Sequence, residues 1–301
     1  MRAFAALAEK LHFREAAEEL GLSQPALSGA VAALEDCLGA QLVERTTRRV
    51  LLTPAGELVA KHARQVLAAM DELVDAVRVT ARPFTGRLQL GVIPTVAPYL
   101  LPALLRPLRK AYPELTVIIH EEQAPMILDG LASGRLCAAV LATSVEGAAL
   151  VRLPLYTEDF VLVLPADHPE AAAGPIALDA LRDLNVLFME EGHCLRDQTL
   201  DVCREAGSAG LDTTGAASLA TLVQLVAGGL GVTLLPRSAA AVEVRRGSGL
   251  AEVEFQAPAP GHEVALVYRA SSARSAEFAQ LADTIRAATR ARRLPVRVAR
   301  P

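Results

Sequence analysis

The sequence predicts three parts in series: an N-terminal winged helix-turn-helix rich in α-helix, a long linker helix, and an α/β domain. Three observations carry this. Apolar residues at helical spacing flank a tight turn at Gly21 to Ser23; a later stretch repeats its apolar residues at intervals of 4, 3, 4, 3 and 4; and beyond residue 86 short β-rich runs alternate with helical ones. The 301 residues, 52% of them hydrophobic, suffice for more than one domain of ordinary size.

Phe4, Leu7, Ala8 and Leu11 mark the first amphipathic run, and Phe13, Ala16, Ala17 and Leu20 the second, which Gly21 closes. Ser23 suits the N-cap of a third helix, with Pro25 tolerated in its first turn and Leu27, Val31, Leu34 and Leu38 as its buried stripe. Two helices joined this tightly form a helix-turn-helix. Gln41 to Arg45 and Arg48 to Leu52 read as two short strands around Thr46 and Thr47, which makes a wing. The same pattern also fits a small helical domain without DNA contacts. Thr53 and Pro54 start the next helix, whose seam is Val59, Ala63, Val66, Met70, Leu73 and Val77, with Arg64, Asp71, Glu72, Asp75 and Arg78 on the other faces. So narrow a stripe reads as a dimerisation helix, and a hairpin partner within the chain would also satisfy it.

Pro83 and Gly86 end that helix. Leu88 to Val92 then reads as a strand, about Pro98 to Tyr112 as a helix and Val117 to His120 as a strand, and so on to Val264 to Tyr268; the sheets are expected to be mainly parallel. Thr95, in the turn Ile93-Pro94-Thr95, is expected at a helix N-terminus, either as a plain cap or facing a polar ligand. Ser218 opens a later helix, and Gly228, Gly229 and Gly231 are read as turn residues. Arg286, Arg290, Arg292, Arg293, Arg297 and Arg300 crowd the C-terminus as an expected solvated tail.

The net charge of -4 gives no global sign of a nucleic-acid partner, and residues 1 to 80 hold nine basic against eleven acidic side chains. Local clustering matters more, and Arg45, Arg48 and Arg49 are the kind of group a phosphate backbone meets. No apolar run approaches the roughly 20 residues of a membrane span, and the first thirty residues lack a signal-peptide core, so a cytoplasmic protein without membrane contact is expected. Cys37, Cys137, Cys194 and Cys203 fit a reducing compartment. With no paired Cys-x-x-Cys or ligand quartet, neither a metal nor any other cofactor is expected.

The stretch Gly192-His193-Cys194-Leu195-Arg196-Asp197-Gln198, with Cys203 after it, holds two thiols nine residues apart. On a helix, nine steps of about 1.5 Å set the Cα atoms roughly 13 to 14 Å apart on opposite faces. A bridge needs Cα atoms within about 7 Å, so oxidation would have to unwind the segment. His193, Arg196 and a helix start just ahead of Cys194 are expected to lower its thiol pKa, as a redox switch requires. The other reading is two small core residues.

Ser23-Gln24-Pro25-Ala26-Leu27-Ser28, Leu34-Glu35, Leu38-Gly39, Leu42, Glu44-Arg45-Thr46 and Leu52-Thr53-Pro54-Ala55-Gly56 resemble the DNA-binding half of LysR-type transcriptional regulators. Ile93-Pro94-Thr95, Pro98 to Pro102, the Gly192 to Gln198 motif, Cys203, Gly231 to Pro236 and Leu266-Val267-Tyr268-Arg269 extend the resemblance to the hydrogen-peroxide-sensing members of that family, over nearly the whole chain. The resemblance implies a winged helix-turn-helix over 1–53, a linker helix over 54–82, and a regulatory domain over 83–301 similar to type II periplasmic binding proteins. Its lobes would be about 86–160 plus 266–301, and about 161–265. By the same resemblance Cys194 is the peroxidatic cysteine and Cys203 its disulfide partner, with Thr95, His193, Arg196, Asp197 and Arg269 shaping a peroxide pocket. Ser23, Gln24, Ala26 and Ser28 fall where a recognition helix meets the major groove, and Arg45 and Arg48 where the wing meets phosphates. Ala124 stands where relatives can carry a pocket threonine, Cys37 and Cys137 receive no role, and the later start than in similar proteins implies either a first helix that frays or a true start upstream of Met1. The implied partners are double-stranded promoter DNA, hydrogen peroxide, a second copy of the chain as dimer or tetramer, RNA polymerase, and thiol reductants of glutaredoxin or thioredoxin type. Two rivals stay open: a LysR-type regulator answering a small metabolite between its lobes, and a thiol peroxidase, for which residues 1 to 80 would have no purpose.

Overall fold

The computed structural model describes residues 1–45, 50–143, 149–172, 174–208 and 215–300, without the side chains of 45, 68, 71, 72 and 74–81. The chain divides into two compact units: Met1–Arg78 with Ala132–Arg135, and Val79–Leu131 with Leu136–Pro301.

In the first unit, α1 (Arg2–Lys10) buries Phe4 and Leu7 and stops where Leu11 turns left-handed at φ 50°. Leu11 is exposed, not part of the buried run, because the reversal carries it off the helix face. After α2 (Phe13–Glu19), Gly21 turns the chain at φ 65°, a conformation that favours glycine. Ser23 Oγ then accepts the Ala26 N–H at 3.3 Å and caps α3 (Gln24–Leu38). Leu27 and Val31 are buried, whereas the expected stripe fails at Leu38, which is exposed because the last turn of α3 runs past the core. Glu35 Oε1 accepts the N–H groups of Leu42 (2.7 Å) and Val43 (3.2 Å), fastening α3 to the wing strands β1 (Val43–Arg45) and β2 (Val50–Leu52). These pair antiparallel, Val43 opposite Leu52. Thr53 Oγ1 accepts the Gly56 N–H at 2.9 Å and starts α4 (Pro54–Ala81). Gly56 is required there, since a Cβ would stand 2.0 Å from the Leu42 carbonyl oxygen. Along the α4 seam Ala63 is buried, while Val66, Met70 and Leu73 are 44%, 52% and 68% exposed; the Val77 side chain lies outside the described residues.

In the second unit the chain runs β3 (Gly86–Val92), α5 (Ala97–Ala111), β4 (Leu115–Glu121), α6 (Ala124–Ser133), β5 (Ala138–Leu141) and the long β6 (Leu150–Pro165). It continues through β7 (Phe188–Met189), α7 (Cys194–Glu205), β8 (Gly215–Ala216), α8 (Leu219–Ala227), β9 (Thr233–Pro236) and α9 (Arg237–Glu243). It closes with β10 (Leu250–Glu254), β11 (Gly261–Arg269), α10 (Ser275–Ala291) and β12 (Arg297–Val298). The main sheet has the order β10-β6-β11-β5-β3-β4, and β9 and β12 also pair with β6. The expectation of mainly parallel sheets is corrected here. Parallel pairing holds for β3 with β4 and β5, and for β7 with β8, but β6 pairs antiparallel with β9, β10, β11 and β12. Hydrophobic runs report burial, not direction, and β6, which passes from one core to the other, runs antiparallel to β11.

Those cores are distinct. The first gathers Leu88, Leu90, Val92, Leu100, Ile127, Leu266 and Ile285; the second gathers Phe160 to Leu164, Phe188, Leu222, Val226 and Leu234. β6 feeds both, the first at Leu155 and Tyr156 and the second from Phe160 onward. At the C-terminus Arg290, Arg292, Arg293, Arg297 and Arg300 are exposed as expected, but the segment is not an unpacked tail, since α10 packs into the first core and β12 pairs with β6. Buried Arg286 donates from Nε (2.9 Å) and Nη2 (2.6 Å) to the Pro154 carbonyl, and Arg297 grips Asp159 at 2.7 and 2.6 Å while β12 extends β6. Arginine stems pack against apolar surface once their guanidinium finds acceptors, and those acceptors lie 132 and 138 residues away in sequence.

Candidate redox site

Parallel strands present their carboxyl ends to ligands, and the candidate site lies at those ends of β3 and β5. Beyond β3, Ile93-Pro94-Thr95 leads to α5, and Thr95 is buried. It is not the cap of α5, a position held by Val96 without a side-chain bond, because the turn uses one residue more than the spacing suggested. Facing this edge, Gly192 takes φ 91° and leads through the N-cap residue His193 into α7, with Cys194 its first residue. A Cβ on Gly192 would come within 2.4 Å of Gln123 Oε1, and Gln123 Nε2 donates to the Glu191 carbonyl at 3.4 Å, so the approaches to α6 and α7 touch.

Cys194 is 8% exposed and belongs to the first core; Cys203, 0% exposed, belongs to the second. Both are free thiols on one helix. Burial, the largest effect, pushes the Cys194 thiol up to about 11, with the Asp197 carboxylate pushing the same way and the backbone N–H of Cys194 opposing. Burial alone pushes Cys203 up to about 11. The expectation of a lowered Cys194 pKa is therefore overturned for this form. His193 is itself held below the ordinary imidazole value, chiefly by burial and against the pull of Glu190, so it offers no fixed positive charge. Arg196 turns its Nη1 to the Met189 carbonyl at 2.9 Å. Asp197 is exposed.

Arg269 is the expected pocket residue that the structure sets apart. Its Nη1 donates to the Leu131 and Leu136 carbonyls, the latter at 2.9 Å, and so clasps the turn from α6 to β5. Since Tyr268 pairs with Ala138, Arg269 lies at the amino end of β5. Ala142, at the carboxyl end, is about five strand residues or roughly 16 Å away. Ala124 is buried at the start of α6.

At the other candidate interface, Gln24 and Ala26 are exposed and Ser28 half-buried on the first turns of α3, and Ser23 Oγ serves the cap. The Arg45 side chain, and Arg48 entirely, lie outside the described residues. Among the described residues no group of three or more His, Cys, Asp or Glu is placed to hold a metal, and no helix is long and apolar enough to cross a membrane.

Comparison with known proteins matches residues 1–57 to the bacterial regulatory helix-turn-helix protein, lysR family, and residues 81–290 to the LysR substrate binding domain. A probable hydrogen peroxide-inducible genes activator of Streptomyces viridosporus is 56% identical over 301 residues, covering 100% of this chain and 96% of its own. Among solved structures, a full-length cysteine-to-aspartate variant of OxyR from Pseudomonas aeruginosa superposes with a TM-score of 0.76 at 35% identity, covering 100% of this chain and 97% of its own. A hydrogen-peroxide-bound cysteine-to-serine variant of OxyR from Corynebacterium glutamicum gives 0.69 at 40% identity, with 96% and 91% covered. With both parts of the family's architecture matched, and similarity running end to end, the chain belongs to the LysR family of bacterial helix-turn-helix regulators.

Proposed function

We propose that this chain is a cytoplasmic transcriptional regulator that senses hydrogen peroxide through a reversible Cys194–Cys203 disulfide and controls oxidative-stress genes. The observation that carries the reading is the placing of two thiols on one helix, each in a different core, so that bridging them has to rearrange how the lobes share α7. The relatives and solved structures named for peroxide support it. Residues 1–53 would bind promoter DNA, 54–82 would pair two copies, and 83–301 would sense, with lobes of about 86–160 plus 266–301 and about 161–265. The exposed apolar stretch Val66, Met70 and Leu73 supports the pairing. RNA polymerase and thiol reductants of glutaredoxin or thioredoxin type are the further partners, and no catalytic turnover is involved.

In the proposed chemistry the Cys194 sulfur attacks one peroxide oxygen, the O–O bond breaks, and water leaves with sulfenic acid on Cys194. The Cys203 thiol then attacks that sulfur and a second water leaves, so the two thiols lose two electrons and the peroxide gains them. With the thiol at about 11, roughly one molecule in ten thousand holds a thiolate at pH 7. The reduced helix thus holds Cys194 mainly as the thiol, and peroxide would have to be activated at this buried sulfur, the role proposed for the likewise buried Thr95 and His193.

Mass mapping after stoichiometric peroxide tests the reading: a Cys194–Cys203 bond is expected, with a changed DNA footprint. A bond through Cys37 or Cys137 instead would remove it. A small-metabolite regulator would show a footprint that ignores peroxide. Gln24→Ala is expected to relax base preference by about 1 to 3 kcal/mol, whereas Arg45→Ala should weaken binding evenly across sequences and lower its salt dependence.

A further inference from the structure

Gln198 sits four residues after Cys194, on the same face of α7, and both ends of its amide are engaged. Its Nε2 donates to the Ala142 carbonyl at the end of β5. Its Oε1 meets His262 Nδ1 at 3.0 Å, and His262 Nε2 meets Glu158 Oε1 at 3.1 Å. The other Glu158 oxygen accepts the Ser238 N–H at 2.9 Å, in the first turn of α9. His262 and Glu158 are direct cross-strand partners on β11 and β6, and both are buried. A single chain of bonds thus runs from the thiol helix to β11 and β6 and to the second lobe's α9.

The donors in this chain are fixed by chemistry. The Ala142 carbonyl can only accept, which turns the Gln198 oxygen toward His262, and an oxygen facing Nδ1 requires Nδ1 to carry a proton. Bringing Cys194 and Cys203 from roughly 13 to 14 Å to within about 7 Å unwinds the residues between them, Gln198 among them. When Gln198 leaves, His262 keeps a buried N–H without its acceptor, beside a buried carboxylate. That cost falls on the oxidised state alone.

We propose that Gln198 is a positioning residue: through His262 and Glu158 it latches α7 in the form that keeps the two thiols apart, and so sets the redox equilibrium of the pair. The inference rests on the peroxide-switch reading of Cys194 and Cys203. It explains how a switch built on one short helix avoids closing under mild oxidants, because the reduced helix carries a bond network that the disulfide must break.

The test uses the full-length protein equilibrated in reduced and oxidised glutathione, with the oxidised fraction read by alkylation and mass spectrometry. Gln198→Met keeps the volume and removes both bonds. Its disulfide is expected to gain at least tenfold in equilibrium constant, a potential about 30 mV more negative. Thermal melting should drop for its reduced form and stay unchanged for its oxidised form. His262→Leu, which removes the acceptor's partner without touching α7, is expected to shift the constant in the same direction and serves if the first variant folds poorly. A Gln198→Met constant within twofold of native, or equal loss of melting temperature in both forms, overturns the latch. Failure of the native protein to form the Cys194–Cys203 bond at any glutathione ratio overturns the reading beneath it, and that failure shows in the native arm alone.

Discussion

The two faces of α7 are held by different physics. One face lays Leu195, Val202 and Cys203 into the second core. The other presents Cys194 to the first core and is tied by the amide of Gln198, while Gly192 and Gln123 crowd the turn ahead of it. Apolar burial is strong and indifferent to direction, so it resists loss of the helix without choosing between states. Polar bonds are individually weaker and break cleanly when the backbone turns. A redox helix with one face of each kind can be stable when reduced and still have a defined place to open.

The largest expected effect separates the thiols themselves. Cys194→Ser is expected to abolish disulfide formation and the peroxide-dependent footprint while leaving DNA binding by the reduced form intact. Cys203→Ser should still consume peroxide at Cys194 but hold the oxidised state poorly, and mass mapping would find sulfenic or more highly oxidised Cys194. A Cys203→Ser protein with a native response in size and duration would make the apolar face a bystander.

Next in size is the contrast between the faces in stability. Leu195→Ala removes a buried side chain from the second core and is expected to cost about 2 to 5 kcal/mol in denaturant unfolding. Arg196→Ala removes one bond to a backbone carbonyl from a half-buried side chain, and a loss below about 1.5 kcal/mol is expected. Equal losses would mean that the helix rests on its polar ties throughout.

How much of this was legible in the sequence follows the range of the interactions. The helix-turn-helix was readable because its signals are local: Gly21, Ser23 and Pro25 act within one turn, and the structure places the cap where those residues put it. Leu11 and Leu38 were over-read because apolar period continues past the point where the core ends. The anchoring of Arg286 and Arg297 was not legible because their acceptors, the Pro154 carbonyl and Asp159, come beside them only through the packing of α10 and β12 on β6. The same limit hid His262 and Glu158, which are neighbours by register alone. For the candidate site, the motif correctly put Cys194 at the start of a helix with Cys203 on the same helix. Sequence adjacency then misled: His193 and Arg196 flank Cys194 along the chain, yet one is buried and the other is committed to Met189. The position of Arg269 was not legible because it depends on how β11 pairs with β5.

The smallest effect is also the sharpest test of that misreading, because it turns on whether Cys194 is a thiol at rest. Burial holds both Cys194 and Cys203 up to about 11, above the roughly 8.5 of an unfolded cysteine. A group whose folded pKa is raised binds its proton more tightly when folded. The stability this confers is present below about pH 8.5 and is lost as pH rises toward 11. The disulfide form has neither thiol and escapes that loss, so the gap between reduced and oxidised denaturation midpoints is expected to shift in favour of the oxidised protein above pH 8.5. Alkylation of Cys194 in the reduced protein by a neutral reagent should meanwhile rise about tenfold per pH unit and still be rising at pH 10. A plateau below about pH 9 would show the thiolate stabilised where it stands. The flanking His193 and Arg196 would then recover the activating role their positions in the sequence suggested, and the helix would be poised to react rather than guarded by its burial.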